Sequence, residues 1–387
     1  MTLTTDTDGP ITVPPGLRNV VVTSTEIGDV RGGEGFYHYR QYSAVDLARG
    51  RTFEDVWYLF VEGRLPTPAE AARFAGEVAP LRVLPDELRE VLPAIAAAGE
   101  RLQPLTALRT ALSLLGSARD VPPLWDADAA TRRGNALLVS AVTPTILAAL
   151  HRLRSGLEPL EPRADLSAAA NWIFMVTGSV PPPRHAAAVE KYLVATVDHG
   201  FNASTFTSRV VASTGADVVS AVAAAIGAFS GPLHGGAPDR ALAGLDEIGT
   251  PDRIDEWVRA RVLAHDRIMG FGHAVYRTDD PRSLMLREVA AELGGELAEF
   301  AMTVERRVVE ILAELKPERR LYANVEFYAG VVMELCGIPR SMFTPTFAVS
   351  RIVGWTANVL EQATERRIIR PAARYVGPPA PEPVPAA

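Results

Sequence analysis

The sequence predicts an all-α fold with short β segments near the N-terminus, on three observations. From Val45 onward apolar residues recur three and four positions apart, as in Phe53, Val56, Trp57, Phe60 and Val61, the spacing of amphipathic helices. Pro and Gly separate these stretches, at Leu65-Pro66-Thr67, Leu84-Pro85, Gly178 to Pro183, Gly215, Gly231-Pro232, Gly249 to Pro251, Gly294-Gly295 and Gly337 to Pro339. That punctuation leaves roughly fifteen helical segments of ordinary length. The one β signal is Thr23 to Tyr42, where Gly28, Gly32, Gly33 and Gly35 lie among Val, Ile, Phe and Tyr.

A chain of 387 residues with 48% hydrophobic and 22% charged content buries a core larger than one average domain needs. No fixed-period repeat and no sharp linker occurs, so a second domain has to be an insertion in the helical array. Ala216 to Phe229, the most apolar stretch, carries Asp217 and Ser220 and is short for a membrane span, which predicts a buried Ala-rich helix. Met1 to Pro15 is polar and lacks the basic start and apolar run of a signal peptide, and Gly377 to Ala387 is rich in Pro and Ala; both ends are expected to be disordered. A net charge of -7 and a pI near 5.6 argue against a general nucleic-acid binder or a protein held to anionic membranes. Of 39 basic residues only Lys191 and Lys316 are lysine, so positive charge sits on guanidinium groups, whose planar fork suits carboxylates and phosphates. Cys336 is the only cysteine, which rules out an intrachain disulfide and a thiolate metal cluster and fits a reducing cytoplasm.

The chain has no Gly-x-Ser-x-Gly elbow, no phosphate loop ending in Gly-Lys-Ser/Thr and no His-Glu-x-x-His, and no metal site is expected. Of seven histidines, His38, His151, His185 and His265 read as structural, whereas His234 and His273 sit in Gly231 to Gly236 and Met269 to Tyr276, where glycines allow close approach of backbone and ligand. His234 precedes a helix expected to start near Pro238-Asp239, whose dipole disfavours imidazolium; a neutral ring there is a donor for a developing enolate oxygen. Asp279-Asp280-Pro281-Arg282 opens another helix, and the ordinary alternative for it is an N-cap with surface charges. Glu326, in Asn324-Val325-Glu326-Phe327-Tyr328, lies among apolar and aromatic neighbours, which would raise its pKa and suit it to take a proton; a capping role is the alternative. Arg351 stands between Phe347 and Trp355 on an otherwise apolar helix, so it needs an anion, either a substrate or a structural partner.

Gly231 to Gly236, Gly270 to Arg282, Asn324 to Gly330 and Phe343 to Gln362, with Asp198-His199-Gly200-Phe201-Asn202-Ala203-Ser204-Thr205-Phe206-Thr207 and Arg370-Pro371, resemble the citrate synthase family in the family's own order, over nearly all of the chain from Gly16 to Gly377. The resemblance implies a large helical domain over 16–235 and 329–376 and a small helical domain over 236–328, closing on oxaloacetate in a homodimer with shared sites. It further implies that His199, His273, Arg282, Arg351 and Arg370 hold oxaloacetate, with Arg370 supplied by the neighbouring subunit, and that His273 also polarises the keto group. His234 would donate to the thioester oxygen of acetyl-CoA while Glu326 removes a methyl proton; Gly270, Phe271 and Gly272, with Arg277 and Arg320, would receive the CoA. No cofactor is required beyond the substrates.

Those roles make chemical sense, since a dicarboxylate suits bidentate arginines and a carbon acid as weak as a thioester methyl needs a base and an oxyanion donor together. Two positions depart from the family. Glu326 stands where aspartate is usual, and Asn358 replaces the histidine common after Gly-Trp in bacterial members. The nearest enzymatic alternative is a 2-methylcitrate synthase using propionyl-CoA, because one methylene in an apolar pocket is worth only about 1–3 kcal/mol. A non-catalytic oxaloacetate- or CoA-binding homologue is the alternative from another class.

Overall fold

The computed structural model describes residues 11–232, 234, 238–273 and 275–381. The disorder expected of residues 1–10 and 382–387 lies outside the described residues, as does the expected domain boundary at 235 and 236. Residues 377–381 are exposed and carry no helix or strand.

The glycine-punctuated segment folds as predicted, into an antiparallel meander of β1 (Gly28–Arg31), β2 (Phe36–Tyr39) and β3 (Tyr42–Ser43), with Asp29 opposite His38 and His38 opposite Ser43. The rest is helical: α1 (Ala44–Gly50), α2 (Phe53–Glu62), α3 (Pro68–Val78), α4 (Asp86–Arg89), α5 (Leu92–Ala96), α6 (Pro104–Ala118), α7 (Ala129–Arg154), α8 (Ala168–Thr177), α9 (Pro183–Thr196), α10 (Ala203–Ser213), α11 (Val218–Phe229), α12 (Pro238–Ile248), α13 (Ile254–Leu263), α14 (Pro281–Leu293), α15 (Glu296–Leu315), α16 (Val325–Leu335) and α17 (Phe343–Glu365).

Side-chain caps set many of the helix starts. Ser43, Thr52, Ser167, Asn202 and Asp217 each accept a hydrogen bond from a first-turn backbone N–H, and Thr67 forms a capping box with Glu70. Each such cap is worth about 1 kcal/mol. The caps at Asn202, Asp280 and Asn324 matter most here, because they start the helices that border the site.

α17 is buried along most of its length and packs against α7, α9, α10 and α11. α12 to α16 form a second group, with α12 and α14 against α16 and α13 against α15, and this group meets the first through α9 and α17. A single apolar cluster runs from Ile27 to Val359. α7, with 26 residues, has the length and composition of a membrane span, yet 72% of its apolar window is buried inside the protein, which is the setting of a core helix. The Ala-rich α11 is buried too, as its sequence predicts.

Candidate active site

One wall of the site is made by helices. α17 carries Gly354 against the 196–200 turn so closely that a Cβ there would fall well inside contact distance of the Val197 carbonyl oxygen. That approach lets Ser350 Oγ donate to Leu193 O at 2.5 Å and Arg351 Nε donate to Thr196 O at 2.9 Å. The Arg351 guanidinium, 2% exposed, lies over the Phe347 ring at 4.8 Å. Burial lowers its pKa, and the buried carboxylate that most opposes this is Asp198. Burial in turn pushes Asp198 up to about 6, against the pull of Arg351. Asp198 Oδ2 accepts from Gly200 N at 3.0 Å and Oδ1 from Asn358 Nδ2 at 3.4 Å, while Asn358 Oδ1 accepts from Arg209 Nη1 at 3.3 Å. Asn358 thus bridges a cation and an anion behind the site.

His234 is held on the same wall. Ser204 N donates to its Nε2 at 3.3 Å, Ser204 Oγ lies 2.8 Å from that nitrogen, and Trp355 Nε1 donates to Ser204 Oγ at 3.1 Å. A backbone N–H can only donate, so Nε2 accepts and the neutral ring carries its proton on Nδ1. Burial first, and the Arg351 charge second, lower the pKa of His234 to about 4.

The other wall is made of loops and of the first turns of α14 and α16 that they lead into. Gly270 O accepts from Asn324 N and Gly272 N donates to Tyr322 O, both at 2.8 Å, so residues 270–272 and 322–324 form a short antiparallel bridge. Both glycines have left-handed backbone, φ 85° and 86°, which a side chain would strain. Two of the backbone groups that sequence reasoning offered to CoA are consumed by this bridge. Asn324 completes it: Nδ2 donates to Gly272 O and Oδ1 accepts from Glu326 N, each at 3.0 Å. The N-cap is therefore Asn324, and Glu326 sits in the first turn of α16 without capping it.

Asp280 is buried and accepts from Arg282 Nε at 3.0 Å, from Arg282 Nη2 at 2.8 Å and from Val325 N at 3.1 Å. It is the N-cap that sequence reasoning weighed, but with a fully enclosed ion pair in place of surface charge. Burial acts against both charges; their mutual attraction overcomes it, holding Asp280 below and Arg282 above the ordinary ranges. His273 Nδ1 accepts from Val275 N at 2.9 Å and Tyr276 N at 3.1 Å, so its proton sits on Nε2. Nε2 faces Arg282 Nη2 at 3.2 Å. Two donors facing each other are the setting that a carboxylate or keto oxygen between them would satisfy. Burial, then Arg282, lower the pKa of His273 to about 4.

The N-terminal hairpin clamps this loop. Arg277 N donates to Gly32 O at 2.9 Å, and Gly32 and Gly35 press so closely on Val275 and Thr278 that neither tolerates a Cβ. The two walls enclose a cavity of about 480 Å³ lined by His199, His234, His273, Arg282, Glu326 and Arg351. His199, kept neutral by burial and then by the nearby Arg282 charge, accompanies them with its Nε2 2.8 Å from Tyr276 Oη. A second cavity of about 280 Å³ is lined by Gly272, Arg277 and Arg320 and shares His273 with the first. Phe271 packs on Phe327 instead, at 5.0 Å between ring centroids. Arg370 is exposed beyond the end of α17 and lines neither cavity of its own chain.

Asp198, Ser204 and Tyr276 are the residues that sequence reasoning missed, although all three stand inside the quoted motifs. The available signal was a polar or phenolic side chain within a histidine-bearing motif. What each one touches lies 30 to 160 residues away along the chain.

The donor-and-acceptor arrangement, two neutral histidines with assigned tautomers, two buried arginines and one carboxylate, is suited to binding an anion and moving a proton beside it. The model of the family described as "Citrate synthase, C-terminal domain" matches residues 16–372. A protein named citrate synthase 2 from Bacillus subtilis is 38% identical over 371 residues, 95% of this chain and 97% of the relative. A Mycobacterium tuberculosis protein named 2-methylcitrate synthase is 39% identical over 366 residues, 94% and 91% of the two chains. The solved ternary complex of a Thermoplasma acidophilum citrate synthase with carboxymethyl coenzyme A and oxaloacetate superposes with a TM-score of 0.85 at 29% identity, covering 95% of this chain and 97% of that one. Motif order, fold and near-complete coverage agree, and this chain belongs to the citrate synthase family.

Proposed function

We propose that the protein condenses acetyl-CoA with oxaloacetate and hydrolyses the resulting citryl-CoA to citrate and CoA. The observation that carries this reading is the convergence of His199, His234, His273, Arg282, Glu326 and Arg351 on one cavity. Arg282 and Arg351 bind the two carboxylates of oxaloacetate, with Arg370 of the partner subunit completing the clamp. His273 donates from Nε2 to the keto oxygen. His234 donates from Nδ1 to the thioester oxygen while the Glu326 carboxylate removes a methyl proton; the enolate carbon forms the new bond to the keto carbon, whose oxygen takes up a proton. Water then cleaves the thioester. CoA enters beside Gly272, Arg277 and Arg320. The α12–α16 group, whose last helix the expected boundary at 328 would cut, acts as the smaller domain that closes once oxaloacetate is bound, in a cytoplasmic homodimer, and no cofactor is needed.

Propionyl-CoA is the second substrate to be weighed, because a relative named 2-methylcitrate synthase is as similar to this chain as one named citrate synthase. Release of CoA measured with oxaloacetate and either ester tests both readings. Turnover with neither ester leaves the binding-protein reading. Glu326→Gln keeps shape but removes basicity, and it should lower turnover by roughly 10²–10⁴-fold while oxaloacetate binding stays within about twofold. Full activity in that variant would remove Glu326 from its role.

A further inference from the structure

The phenol of Tyr276 stands between the two cavities. It is 4% exposed and lines the cavity of Arg277 and Arg320, yet its hydroxyl reaches across to His199 Nε2 at 2.8 Å. Its backbone N–H, 3.1 Å from His273 Nδ1, is one of the two donors that assign the tautomer of that ring. Its ring lies 4.7 Å from the His273 ring and 5.4 Å from the His199 ring, centroid to centroid, with the Arg282 guanidinium 5.8 Å from its own. Loop residues either side of it are pinned by the hairpin, through Val275 against Gly32 and Arg277 N on Gly32 O, so the phenol has a fixed base.

An imidazole with one nitrogen bonded to a rigid hydroxyl cannot rotate about its χ2 axis without breaking that bond, so the nitrogen that remains is aimed in one direction. We infer that Tyr276 is a positioning residue that aligns both oxaloacetate histidines at once, His199 through its hydroxyl and His273 through its backbone N–H. This rests on the proposed function and names a residue that the reaction scheme does not use.

Calorimetric titration of oxaloacetate into the full-length protein, its Tyr276→Phe and His199→Asn variants and the double variant tests the inference. Tyr276→Phe removes only the hydroxyl and keeps the ring and the donor to His273. It should weaken oxaloacetate binding about five- to tenfold while kcat at saturating oxaloacetate falls less than about threefold. In the His199→Asn background the same change should have almost no further effect, because the group it positions is gone. Tyr276→Leu should weaken binding at least as much. An unchanged oxaloacetate affinity in Tyr276→Phe, or losses that multiply in full in the double variant, would overturn the inference. If the unaltered protein itself fails to bind oxaloacetate, the proposed function fails instead, and the variants are not needed to see it.

Discussion

The two walls of the site place similar groups by different means. On the helix wall, close packing of α17 on the 196–200 turn at Gly354 brings Arg351 Nε to the Thr196 carbonyl, and Ser204, itself bonded by Trp355 Nε1, holds the His234 imidazole against Phe229. On the loop wall, His273, Arg282 and Glu326 are held by a lattice of hydrogen bonds from Asn324, Asp280 and the N–H groups of Val275 and Tyr276, backed by a two-strand hairpin. Packing in a core cannot yield locally, whereas a hydrogen-bonded loop can.

The largest expected effect separates the two arginines. Arg282→Met leaves Asp280 buried without its cation, and stability measured by urea unfolding should fall by about 3–5 kcal/mol. Adding Asp280→Asn to that variant should recover part of the loss. Arg351→Met, which removes a guanidinium that burial already disfavours, should cost less stability than Arg282→Met, although on the proposed function both should weaken oxaloacetate binding severely. Equal losses would break the distinction between a loop wall built on an ion pair and a helix wall built on packing.

Gly354→Ala tests the helix wall itself. The added methyl meets the Val197 carbonyl, which is backbone and cannot rotate away, so destabilisation of about 3 kcal/mol is expected together with weaker oxaloacetate binding. Loss of stability with unchanged affinity would show that the 196–200 turn can shift without disturbing His199 and Arg351.

The smallest effect should be shared by both walls. His234 and His273 both have folded-state pKa values near 4, below the ordinary value of 6.5. The unfolded chain therefore binds more protons between those values, so the stabilising contribution is complete above pH 6.5 and is lost as pH falls from 6.5 through 4. Each ring should account for on the order of 2 kcal/mol of that loss. Comparing the unfolding free energies of wild type, His234→Gln and His273→Gln at pH 7 and pH 4.5 measures it. A pH slope as steep in either variant as in the wild type would mean that the ring in question is not buried neutral.

Much of this was legible in the chain. Apolar spacing and Pro/Gly punctuation specify the helices, because three- and four-residue periodicity is a local property that burial of one face enforces. The short strands followed from glycines among β-formers, and the histidine-bearing motifs marked the polypeptide that meets at the cavity. What the sequence could not carry was which donor meets which acceptor. The Nδ1 proton of His234 depends on Ser204, the Nε2 proton of His273 on the N–H groups of Val275 and Tyr276, and the fixed ring of His199 on Tyr276, 77 residues away. The same holds for charge. Spacing marks Arg351 as buried, but only packing around α17 sets Asp198 beside it, and burial in that setting is what shifts both groups. Local pattern determines where the chain is helical and which face is apolar, since those depend on neighbours in sequence. Tautomers, ion-pair partners and the neutrality of the histidines depend on atoms brought close in space and on the exclusion of water, and only the tertiary structure decides those.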